Sequence, residues 1–383
     1  MYYKSDWETA KQRMRAFWNN EIIDRYCIGI TAPRKTSRYH SYAALTDGLN
    51  ERLNAIPEND REAIYQWWVD PEQNYQRMID WFDHTYFGGE AIPCTFVNWG
   101  AMAMACFYGS QPVFNKETVW YLPCIQDWDT WECKFDRAEN IYWQQTLAIV
   151  KYYLENNAGR YFVGTPEFGS AGDLLSLMRG MDRLALDLID YPGHCHKAIK
   201  LLGDTWIELH EQVYQMTYTA NDNGGVLAWM LLWSPGRHSQ LACDFASIIS
   251  PSMYRNFFIP EVKQKGDWCK YGTYHLDGPA AMISTLDILL EIEQIDNIQW
   301  TPGENLAPTY SPQYIPAYKK IQAAGKRLYL LVEPYEIEPL LTHLSPKGLY
   351  LRTHVDSEDE ANDLLRKAEA WSAGKNIFPV NQK

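Results

Sequence analysis

Tyr274-His275-Leu276-Asp277-Gly278-Pro279, followed after one helix-length segment by Asn297-Ile298-Gln299-Trp300-Thr301-Pro302-Gly303, is the stretch on which the fold turns. Each half is a short apolar run that ends in polar residues and a Gly/Pro turn. A helical pattern between two such runs is the mark of a β/α/β unit. Outward from it, eight strand-like runs are expected, near Ile22 to Thr31, Ala91 to Asn98, Tyr161 to Thr165, Val226 to Trp233, Gly272 to Leu276, Ile298 to Thr301, Leu328 to Glu333 and Leu349 to Thr353. Several are almost continuously apolar, as in a parallel sheet covered on both faces.

The segments between the runs carry helix signals. Ser250-Pro251 and Ser311-Pro312 each place a capping hydroxyl before a proline at the first helical position. Asp356 or Ser357 with Glu360 forms a capping-box pattern ahead of an amphipathic run that ends at Gly374. After residue 220 the strands recur every 25 to 45 residues or so, the spacing of a barrel of about 250 residues. The expectation is therefore an α/β fold, a (β/α)8 TIM barrel, in one domain spanning 1-383. Residues 1-85 form an N-terminal helical portion, and the wide gaps holding Tyr65 to Tyr75 and Val119 to Trp131 are insertions.

Composition narrows the class of partner. With 46% hydrophobic and 22% charged residues, the chain can bury a core and does not read as disordered. A net charge of −13 and no basic stripe speak against a nucleic-acid partner. The longest apolar stretch, Val226 to Trp233, falls far short of the roughly 20 residues a membrane helix needs. The N-terminus lacks the apolar core of a signal peptide, so a cytoplasmic location and a small-molecule substrate are expected. Eight scattered cysteines without CxxC spacing read as buried thiols. Sixteen Trp and twenty-six Tyr suit an aromatic-lined pocket as well as a core.

The opening stretch, together with Pro166-Glu167-Phe168-Gly169, Asp173-Leu174-Leu175, Met178-Arg179-Gly180, Asp187-Leu188-Ile189-Asp190-Tyr191-Pro192, Cys243-Asp244-Phe245 and Ile249-Ser250-Pro251, resembles the uroporphyrinogen decarboxylase superfamily, which includes cobalamin-related methyltransferases. The resemblance runs over roughly residues 85 to 370 and implies a (β/α)8 barrel. It also implies a zinc site, which the relatives build from a His-x-Cys pair and a second Cys near the last strand. Here His275 and Asp277 stand at the first pair, and Leu351-Arg352-Thr353-His354 brings no thiol. Zinc accepts His and Asp ligands, so a metal site of different character is implied at His275, Asp277 and His354. A corrinoid enters only as a methyl carrier borne by a partner protein, and a homodimer is admissible. The arginine-rich N-terminal segment that grips a porphyrinogen is replaced by Arg25-Tyr26-Cys27 and Ala32-Pro33-Arg34-Lys35, which argues against true uroporphyrinogen decarboxylation.

Barrel active sites sit at the C-terminal ends of the strands. The carboxylates there are Glu167, Asp277, Glu304 and Glu333, candidates for acid-base work with surface or capping roles as the plainer alternative. Trp99, Trp233 and Trp300 are candidate aromatic walls, Gln299 a substrate contact, and Arg237 and Arg352 candidate anion contacts. Because i and i+2 share a strand face, His275 and Asp277 address one point. The leading reading is metal-assisted methyl transfer on a small molecule. The alternative is a carboxylate-dependent glycoside hydrolase or lyase, which needs a carboxyl pair about 5 to 9.5 Å apart. A barrel that binds a ligand without catalysis is the third.

Overall fold

The computed structural model describes residues 1–131, 133–303 and 306–373. Its strands are β1 (Cys27–Pro33), β2 (Thr85–Gly89), β3 (Cys94–Thr95), β4 (Pro112–Phe114), β5 (Val119–Tyr121), β6 (Phe162–Val163), β7 (Gly225–Leu227), β8 (Leu232–Ser234), β9 (His238–Leu241), β10 (Tyr271–Asp277), β11 (Asn297–Thr301), β12 (Arg327–Leu331) and β13 (Leu349–His354). A seven-stranded sheet runs β2-β1-β13-β12-β11-β10-β9, parallel throughout except for β2. β3 and β6 form a separate parallel pair, and β4-β5 and β7-β8 are antiparallel hairpins. Among the described residues the ladder thus joins seven strands into one largely parallel sheet, with three two-stranded pairs beside it.

Helices cover the sheet, and register explains which side chains they bury. Thr273, His275 and Asp277 lie opposite Asn297, Gln299 and Thr301, and Gln299, Tyr329 and Tyr350 follow in line. This face is polar and aromatic. Asn297 donates to Thr273 Oγ1 (3.1 Å), and Tyr329 stacks on Tyr350 with centroids 4.8 Å apart. The alternate residues Tyr274, Leu276, Ile298, Trp300, Leu328, Leu330, Leu349 and Leu351 are buried and form the apolar side. Gly29 makes room for this packing, since a Cβ there would sit 2.6 Å from the Tyr350 hydroxyl.

The departures from expectation have local causes. The strand expected near Val226 to Trp233 is broken by a 3-10 turn at Ala228–Met230, after which Leu231 takes the left-handed region (φ +52°) and the chain reverses. Val163, expected in a longer strand, gives both its backbone groups to the Asn221 side chain, which donates to Val163 O (2.7 Å) and accepts from its N–H (2.8 Å). Residues 22–26 are not strand. Asp24 there accepts from Arg13 (2.8 and 2.6 Å) and from the Arg25 N–H (2.8 Å), which tie the segment to the helix Trp7–Trp18. β2 and β9 extend the sheet beyond the expected set. No described helix is long and apolar enough to cross a membrane.

The segment leading into β1 is locked to the end of β2 by buried charge. Arg25 binds Glu90 through two N–H groups (2.6 and 3.0 Å), and Glu90 also accepts from the Ile28 N–H (2.8 Å). Removing one partner of such a pair strands the other in a medium that cannot solvate it, at about 3–5 kcal/mol. Glu90→Gln is therefore expected to lower unfolding free energy by that amount in urea titration. An unchanged midpoint would show the pair to be dispensable.

Candidate active site

His275 and Asp277 close β10 on its polar face. The His275 Nδ1 meets the Gln299 carboxamide oxygen, and the amide nitrogen of Gln299 donates to Thr301 Oγ1 (2.8 Å), which orients the carboxamide. With an oxygen facing it, Nδ1 carries the proton and donates, which leaves the lone pair on Nε2. The edge of Trp229 meets the His275 ring, centroids 5.5 Å apart and planes at 86°. The Trp229 indole N–H donates to Gln240 Oε1 (2.7 Å), and the Gln240 amide in turn reaches Glu167. Burial pushes the Glu167 carboxyl up to about 7, with His275 and Gln240 pulling it down and Asp244 adding to the rise.

Asp244 completes the cluster. Its carboxylate, that of Asp277 and the His275 imidazole bring ligand atoms within 4.8 Å of one another, with His275 half-buried and both aspartates exposed; this is the group of metal-ligand type among the described residues. Partial burial, then Asp173, then Asp277 raise the Asp244 carboxyl to about 7. Asp173 is anchored beneath by the Ser170 hydroxyl (2.5 Å) and the Phe245 N–H (2.8 Å). The pocket above has a cavity of about 90 Å³ lined by Glu167, Asp173, Trp229, Gln240, Asp244 and His275 among others, with no Lys or Arg in its lining. It is an acidic pocket with aromatic walls from Phe96, Phe168, Trp206 and Trp229, narrow beside the roughly 300–1,000 Å³ of drug-sized sites.

His210 forms a rigid side of this pocket. Its ring stacks on Trp206 at 3.5 Å, Nδ1 lies 2.8 Å from the Trp206 carbonyl and Nε2 2.9 Å from the Ser239 hydroxyl. Burial holds it well below the ordinary histidine range, so it stays neutral at pH 7.

The strand-end residues anticipated from the sequence fall in several places. Glu167, His275, Asp277 and Gln299 come together at this pocket. His354 instead stacks on Tyr42 at 4.2 Å and lines a separate cavity with Glu333, and Glu333 caps the turn Pro334–Glu336. Trp99 is buried with its N–H on the Trp68 carbonyl (3.2 Å), and Trp233 is buried against Trp7 with its N–H on the Asn221 carbonyl (2.9 Å). Trp300 packs on Tyr314 and Tyr318 on the apolar side of the sheet. Arg237 is paired with Glu211 (2.7 and 2.8 Å), and Arg352 reaches the Trp229 carbonyl. Glu304 lies outside the described residues. Asp244, Gln240 and Trp229 were not anticipated at the site. The run His238-Ser239-Gln240-Leu241 is too polar to read as a strand, yet a polar strand next to Cys243-Asp244 is the signal that points inward.

No protein-family model matches the chain, and no curated protein sequence matches it. Among solved structures, a methyltransferase from Methanosarcina mazei has a similar fold, with a TM-score of 0.60 and 11% sequence identity over 94% of this chain and 98% of that one.

Proposed function

We propose that the chain is an enzyme of metal-assisted methyl transfer on a small molecule, with the His275, Asp277 and Asp244 cluster as its metal site and Glu167 as its proton carrier. The observation that carries this reading is the convergence of three ligand atoms, one from each residue, within 4.8 Å; the Gln299 contact on Nδ1 leaves the His275 Nε2 lone pair for a ligand bond. Asp244, pressed by two neighbouring aspartates, is the kind of carboxylate a cation relieves. The donor set fits zinc or a similar divalent ion and is harder than a thiolate-rich one. Such an ion, when bound, supplies Lewis-acid stabilisation of charge on the reacting atom.

The chain's own residues do the rest. Gln299 fixes the imidazole tautomer, Gln240 holds Glu167, and Glu167 near pH 7 is suited to take a proton from a nucleophile or return it to a leaving group. Trp229 and Phe96 give the pocket apolar surface that excludes water. The fold similarity to a methyltransferase agrees with this reading. We also read the eight anticipated strands as one barrel, with the β3-β6 pair and the β7-β8 hairpin filling the arc between β1 and β9. The narrow cavity gives the glycoside alternative less room.

Elemental analysis of the purified protein and a panel of methylated small molecules test the proposal: bound or titratable zinc with turnover of a methyl donor is expected, and a protein that takes up no divalent metal overturns it. Gln299→Leu is expected to weaken zinc binding about 10–100-fold, as loss of a ligand's orienting partner does, read by competitive chelator titration.

A further inference from the structure

Beside the acidic pocket lies a second cavity of about 380 Å³, on whose lining Arg77, Arg352, Trp81, Phe96, Asn98 and Trp229 converge, and no carboxylate lines it. It shares Phe96, Ala228 and Trp229 with the acidic pocket, so the two chambers adjoin across the Trp229 turn. Neither arginine has an acidic partner within ion-pair distance among the described residues. Arg77 is held by the Trp67 carbonyl (3.2 Å) and Asn74 Oδ1 (2.6 Å) and lies over the Trp67 ring, 4.5 Å from its centroid. Arg352 is tied to the Trp229 carbonyl. Each guanidinium has five N–H donors, so both keep donors to spare.

Placing two cations by neutral acceptors in one chamber costs desolvation that an anion would repay, and the guanidinium fork matches a carboxylate or phosphate with two parallel hydrogen bonds. Burial already pulls Arg77 below its ordinary range. Of the other half-buried arginines, Arg179 and Arg237 have the carboxylates of Asp187 and Glu211, whereas Arg34 and Arg160 are, like Arg77 and Arg352, held by neutral oxygens. Arg77 and Arg352 differ in sharing the lining of one cavity that holds no carboxylate.

We infer that Arg77 and Arg352 form an anion-binding subsite, which receives the carboxylate or phosphate end of a small molecule. Resting on the reading of the adjoining pocket as the methyl-transfer site, that molecule is the substrate, and its other end passes Trp229 to reach the His275 cluster. The substrate class is thus a small organic anion bearing its methyl group, or the atom that accepts one, away from its charge.

Isothermal titration with inorganic phosphate and with acetate, at constant ionic strength set by chloride, tests the subsite without any turnover. Wild-type protein is expected to bind at least one of the two. Arg77→Gln and Arg352→Gln are each expected to weaken it 10-fold or more, Arg352→Lys to restore part of the loss, and Arg237→Gln to change nothing. Binding in His275→Ala at wild-type strength separates this subsite from the metal reading, because anion held through a metal would disappear in that variant. Circular dichroism confirms folding of each variant, and Arg352→Lys serves where a glutamine variant does not fold. Wild-type protein that binds neither probe, folded arginine variants that bind as wild type does, or loss of binding in His275→Ala overturns the inference.

Discussion

In His275→Ala, zinc binding and methyl transfer are expected to fall together, each by more than about 100-fold, since removal of a ligand should exceed the 10–100-fold cost of removing its supporting contact. The expectation comes from the Gln299 contact, which leaves Nε2 as the one neutral nitrogen donor among carboxylates. His354→Ala is the control. That ring stacks on Tyr42 in another cavity, so its loss should leave the metal in place. Metal content by mass spectrometry, with turnover on the same preparations, reads both. If His275→Ala retains its metal and full activity, the cluster is not the site.

Glu167→Gln should separate activity from stability, with opposite signs. The folded protein holds this carboxyl near 7 where an unperturbed one titrates near 4.5, so the folded state binds the extra proton. Its contribution to stability is fully present below pH 4.5 and is lost as pH rises through about 7. At pH 8 that loss is on the order of 3 kcal/mol, the free-energy equivalent of the difference. Glutamine has no proton to lose. The variant should therefore unfold like wild type in urea near pH 4 and resist unfolding better at pH 8, while methyl transfer drops about 100- to 10,000-fold with the proton carrier. Equal midpoints at pH 8 would show that Glu167 is not held in the raised state.

How much of this was legible in the sequence depends on what kind of signal each element leaves. β10 to β13 were visible because both faces of a covered parallel strand are buried and the apolar run says so. His275, Asp277 and Gln299 were visible because polar residues interrupt such runs at their ends. Asp244 was not, because it starts a 3-10 turn after a strand of His, Ser and Gln that carries no hydrophobic pattern. The shortness of β6 was equally hidden. Asn221 stands in for a strand by bonding both backbone groups of Val163 from a distance no local pattern encodes. Trp99, Trp233 and Trp300 show the converse, since a large indole closing an apolar run is as well satisfied by a backbone carbonyl or neighbouring rings as by a ligand.

The turn that carries Trp229 into the space between the two chambers bears a further consequence, for how this protein can change over generations. Leu231 at φ +52° endures a backbone cost of about 1–2 kcal/mol that glycine would relieve, yet its side chain is 2% exposed and its burial returns a comparable amount. Neither substitution route is downhill: glycine empties the core, and any other side chain keeps the strain. A lineage could therefore exchange the residues lining either chamber, and with them its substrate, while this corner stays put.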